Sequence, residues 1–184
     1  MRFFLLNPFI ILLILAVQSH FHGASFGALV FLQRWFFFAW EASWGKVLTQ
    51  DQLKRRDWNL ANSCAEEETI NHILVHCSKA RVLWDFVFTL FDVNWVLPLT
   101  VRDTLLGWFA SFVNKKRRKA WLATPLCLFW MIWKERNRIV FGNEDLSIQK
   151  MKNSFVCNLW FWAKSCLDVG PFSLINFVDW LGSC

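Results

Sequence analysis

The chain has 184 residues, is 55% hydrophobic and 18% aromatic, and carries a net charge of +6 with 13 Trp, 20 Phe and no Tyr. The length rules out a chain too small to bury a core and fits one domain with an appendage, or two small units. The basic balance argues against basic partners and favours polyanions such as nucleic acid or acidic lipid.

At the start, Met1 and Arg2 precede an apolar run from Phe3 to Val17, with small residues at Ala16 and Ser19. This is the pattern of a secretory signal. It falls short of the about 20 residues that a membrane span needs. Residues 1–19 read either as a signal-like segment or as an accidental apolar start, and residues 20–35 as a linker. No Asn-x-Ser/Thr acceptor supports a secreted life. Charges are sparse up to Arg34, and from Glu41 onward the composition is that of an ordinary globular sequence.

Thr49 can cap a short helix that begins at Gln50. The basic cluster Lys54, Arg55 and Arg56 follows, and residues 57–71 are polar and rich in turn formers. Arg81, Asp85 and Thr89 recur every four residues. Val82, Leu83, Phe86, Val87 and Leu90 fill the opposite side, so this stretch reads as an amphipathic helix. Pro98 ends that pattern. Thr100 caps the next helix, which the apolar residues Leu105, Leu106, Phe109 and Phe112 carry to about Val113. A basic run from Lys115 to Lys119 interrupts. Thr124-Pro125 reads as a helix start, with Thr at the cap and Pro in the first turn. From there Leu126, Phe129, Trp130, Trp133 and Val140 supply a buried stripe, and Gly142 ends it.

A long helix from about Leu146 to Cys166 places Ile148, Met151, Phe155, Leu159 and Trp162 on one face. The apolar tail from Phe172 to Trp180 predicts a short helix folded back on the body. Strand-like alternation is scarce. The fold class is therefore mainly α: a small irregular Cys/His segment of zinc-knuckle type, in residues 36–92, followed by a helical bundle in residues 93–184.

The six cysteines are an even count, which would suit disulfides in an oxidising compartment. Cys127, Cys157 and Cys166 fall in apolar helical patterns, however, where a free buried thiol is commoner. This favours a reducing, intracellular setting, nuclear or cytoplasmic, over a secreted or membrane-anchored one.

The segment that carries chemistry is Cys64 to Cys77, CAEEETINHILVHC. Zinc takes four thiolate or imidazole ligands in a tetrahedron. His72 and Cys77 form a plausible half-site. The other half calls for a Cys-x2-Cys knuckle, and Glu67 stands where the second Cys would be. Glu67 and His76 are the substitutes within reach. His72 and His76 share a face if the segment is an α-helix. The zinc-protease pattern needs a Glu directly after the first His; Ile73 stands there instead.

Several words around this segment occur in a fixed order. Phe38 and Trp40 are followed by Thr49, Asp51, Leu53, Arg56 and Trp58. Cys64, Glu67, Glu68, Thr69, His72 and Cys77 come next, then Arg81, Leu83 and Trp84, and last Trp130, Trp133, Lys134, Arg136 and Asn137. In this the chain resembles the zinc-binding domain that follows the reverse transcriptase in plant LINE-type retroelements, over roughly residues 36–184. The resemblance implies zinc at Cys64, His72 and Cys77. It also shows a departure: a short deletion after Cys64 has removed the second knuckle cysteine. Metal binding can supply about 10 kcal/mol or more to the folding of a small site, so a lost thiolate leaves zinc weakly held or lost.

Catalytic machinery is not legible. There is no paired-Asp turn to hold two metal ions, no clustered glycine loop and no nucleophile elbow. Glu66, Glu67 and Glu68 read as a run that suits the positive end of a helix. The basic runs Lys54, Arg55, Arg56 and Lys115, Lys116, Arg117, Arg118, Lys119 could grip the phosphates of RNA or DNA, with nearby aromatics stacking on bases. The whole reads as a non-enzymatic remnant of a retroelement polyprotein, ancestrally associated with nucleic acid and without a small-molecule substrate. A membrane enters only if the N-terminal segment is used.

Overall fold

The computed structural model describes residues 26–54, 68–111, 117–142, 147–166 and 173–182. The N-terminal apolar run lies outside them. So do Cys64, Glu67, Arg55, Arg56, Lys115 and Lys116. Among the described residues every regular element is helical, and no helix is long and apolar enough to cross a membrane.

Helix α1 spans Phe26–Ser43 and crosses the boundary near residue 35 that composition suggests. Its buried residues Trp35, Phe38, Ala39 and Ala42 follow the helical period. Gly45 ends it in the left-handed region at φ +61°, a conformation that costs glycine nothing. There Gly45 N–H donates to the Ala42 carbonyl and Lys46 N–H to that of Glu41. The short helix α2, Gln50–Lys54, begins where Thr49 predicts. The Thr49 hydroxyl donates to the Asp51 carboxylate.

Next comes a π turn, His72–His76, which leads into α3, Ser78–Phe91. Helix α3 buries Ala80, Leu83, Trp84, Val87, Leu90 and Phe91 and leaves Arg81, Asp85 and Thr89 in solvent, as the four-residue spacing predicts. Val82, expected inside, is exposed. It sits beside Arg81 on the outer face, while Trp84 fills the inner one.

Helix α4, Val101–Ala110, is capped by Thr100: Asp103 N–H donates to the Thr100 oxygen at 3.0 Å. The Thr100 hydroxyl in turn donates to the Asp103 carboxylate at 2.7 Å. Three more helices follow: α5, Arg118–Gly142, α6, Ile148–Cys166, and α7, Leu174–Gly182. The tail does fold back, with Phe177 and Leu181 buried and α7 packed on α3 and α6.

Helix α5 is the axis of the fold. It packs against α1, the π turn, α4 and α6, and every residue from Trp121 to Phe129 is buried. A helix that is apolar all round belongs inside a bundle. The helix start expected at Thr124-Pro125 is overturned, because Pro125 lies within α5. An interior proline lacks the N–H that would bond the carbonyl four residues back. Here that carbonyl belongs to Trp121, and the Trp108 indole N–H donates to it at 2.9 Å. The Trp121 indole returns the bond to the Trp108 carbonyl at 3.1 Å. The two rings stack with centroids 3.8 Å apart and planes at 11°. Trp84 and Trp95 pack against this pair. The tryptophan richness of the chain thus has a structural use: it fills the α3–α4–α5 junction and supplies the donor that Pro125 lacks.

Candidate metal centre and its anchor

Between the π turn and α5 lies a hollow of about 280 Å³. Its walls include Glu68, His72, Cys77, Glu135 and Arg136. Two of the three expected zinc ligands therefore line the same hollow. The π turn is the local cause. Residues five apart lie about 140° apart around an α-helix. In the π turn the Cys77 N–H instead bonds the His72 carbonyl at 2.7 Å, which brings positions 72 and 77 together. The expected α-helical face that pairs His72 with His76 does not form. His76 is not among the residues that line the hollow, and its Nε2 donates to the Leu99 carbonyl at 2.8 Å.

Cys64 and Glu67 lie outside the described residues. Among those described, no three His, Cys, Asp or Glu side chains are grouped to hold a metal ion. His72 and Cys77 on their own do not make a tetrahedral zinc site, and the knuckle-like segment is not shown.

The back of the hollow is a buried ion pair. Arg136 donates to both oxygens of Glu68, from Nε at 2.9 Å and from Nη2 at 2.7 Å. Its side chain is 7% exposed and that of Glu68 is 2% exposed. The guanidinium also lies over the Trp133 ring, 5.1 Å from its centroid, and donates to Asn137 Oδ1 at 3.0 Å. The helix-dipole reading of Glu68 is thus corrected, since Glu68 is buried and paired across the fold. Sequence reasoning missed Arg136 as its partner. The available signal was two charged residues standing inside two of the ordered words.

Three further contacts fix the segment. The Asn71 side chain accepts from Val101 N–H at 2.9 Å, at the start of α4. The Trp84 indole donates to the Leu74 carbonyl at 3.0 Å. The Thr69 hydroxyl oxygen accepts from His72 N–H at 3.2 Å.

The basic runs divide. Of the second run, Arg117, Arg118 and Lys119 are described. Arg117 is buried, and its Nη1 donates to the carbonyls of Phe91, at 3.4 Å, and of Leu181. It serves the C-terminal ends of α3 and α7, where the helix dipoles gather negative charge, so it is not on a surface that phosphate could reach. Arg118 and Lys119 are half-buried, and Lys54 is exposed.

Among the cysteines with described surroundings, Cys77, Cys127 and Cys157 are free thiols. Cys127 is fully buried, and that burial pushes its thiol well above the usual range. Cys157, expected inside, is exposed on α6.

Residues 26–84 match the family model described as zinc-binding in reverse transcriptase. This stretch of the chain is therefore similar to the zinc-binding region of reverse transcriptases. The match starts in α1, upstream of the first of the ordered words, and runs through Trp84. No curated protein and no solved structure matches the chain.

Proposed function

We propose that this protein is a non-catalytic remnant of a retroelement polyprotein, ancestrally associated with nucleic acid, in which zinc is weakly held or lost. The observation that carries this reading is the meeting of His72 and Cys77 at one hollow within the matched family region. Half of a zinc site survives there, while the sequence after Cys64 lacks the second knuckle cysteine. Titrating the full chain with zinc against a chromophoric chelator is the test. Weak or substoichiometric uptake is the expected result; tight uptake of one zinc per chain overturns the reading.

Association with RNA or DNA would run through the cations of the two basic runs other than Arg117. Binding of a single-stranded oligonucleotide should then weaken as salt rises. It should also fall when Lys115, Lys116, Arg118 and Lys119 are neutralised together. Unchanged affinity in that variant removes these residues from the interface.

A further inference from the structure

We propose that residues 68–77 are held to the helical body by the chain's own side chains, with Arg136 as the positioning residue, so that the turn bearing His72 and Cys77 stays closed whether or not zinc is bound. Four separate elements hold this short segment. Glu68 is clamped by Arg136 on α5 through two bonds of 2.9 and 2.7 Å. Asn71 holds the start of α4, Trp84 of α3 holds the Leu74 carbonyl, and His76 holds Leu99 in the α3–α4 connection. Between these ties, Ile70, Ile73, Leu74 and Val75 are buried in the common core. A knuckle that folds only around metal has no such set of partners, because the ion itself supplies its cohesion.

Arg136 is the one tie whose geometry a neighbour could not imitate. A guanidinium presents a planar fork that matches both carboxylate oxygens, and it is itself seated on the Trp133 ring. With Arg136 removed, the buried Glu68 carboxylate loses its two-bond charged partner, which favours opening of the segment so that it can reach water. The inference does not depend on nucleic-acid association or on the strength of zinc binding, and its test is decided by the chelator-treated chain.

Three cysteines of the full chain supply the probes. Cys157 is exposed and reports unhindered reaction, Cys127 is fully buried and reports global unfolding, and half-buried Cys77 reports opening of the turn. The experiment is timed alkylation with peptide mass mapping, run with excess chelator and again with added zinc. In the wild type Cys77 should react more slowly than Cys157 in both conditions. In Arg136→Met, Cys77 should speed up about tenfold or more while Cys127 stays protected, the mark of local opening. If Arg136→Met unfolds the whole chain and Cys127 reacts too, Glu68→Gln decides, because it keeps the side-chain shape. Loss of Cys77 protection alone in Glu68→Gln supports the proposal, and unchanged protection overturns it. It is also overturned if chelator by itself brings Cys77 to the rate of Cys157 in the wild type, since metal would then be holding the turn.

Discussion

The α3–α4–α5 junction and the turn at 68–77 are both buried, yet different forces hold them. At the junction, Trp84, Trp95, Trp108 and Trp121 pack ring on ring, and the polar needs of Trp108 and Trp121 are met within the pair. At the turn, a charge pair and side-chain-to-backbone bonds connect four elements. The contrast teaches where each region is vulnerable. Aromatic packing loses stability in proportion to the atoms removed. A buried ion pair is near neutral when both partners go, and costly when only one does.

The largest effect should come from the junction. Trp121→Ala removes a fully buried ring and its stack on Trp108, and should cost about 3–5 kcal/mol. The denaturant midpoint would fall with its slope unchanged. A loss under about 1 kcal/mol would show that the stack is dispensable and break the comparison.

Next is the ion pair. Arg136→Met alone should cost about 3 kcal/mol or more, and joint replacement of Glu68 and Arg136 by Met should recover most of that loss. A double-mutant cycle reads the coupling directly. Additive costs would mean that the two residues act separately.

The cap is smaller. Thr100→Ala should cost about 1 kcal/mol, because one first-turn N–H of α4 loses its acceptor. The smallest change concerns Pro125. An interior proline ordinarily costs about 3 kcal/mol. Because the Trp121 carbonyl already has a donor, Pro125→Ala should shift stability by under about 1 kcal/mol. A gain near the full proline penalty would show that the Trp108 indole does not replace the missing bond.

Periodicity made much of the helical body readable. The spacing of Arg81, Asp85 and Thr89, the Thr100 cap and the stripe from Met151 to Trp162 each mark a helix that the structure contains. The start of α1 was not readable, because a uniformly apolar stretch carries no contrast between faces. Pro125 misled for a physical reason: its local preference for a first turn is outweighed by a donor from a side chain far away in sequence. The site was readable as a set of words, but not as an arrangement. Nothing in the spacing of His72 and Cys77 announces a π turn. Nothing in the local sequence says that Glu68 meets Arg136 or that Arg117 turns inward to two helix ends.

Metal dependence of folding is the most direct test of the claim that the turn is held by protein contacts. Thermal unfolding of the full chain would be followed in excess chelator and in zinc. An ion bound only by the folded state, at a hundred times its Kd, adds about 2.7 kcal/mol and raises the midpoint by a plainly measurable amount. The account predicts one cooperative transition and the same far-ultraviolet helical signal in both solutions, with zinc adding to the midpoint only what its own binding supplies. A chain that loses its helical signal or its cooperative transition in chelator would contradict it.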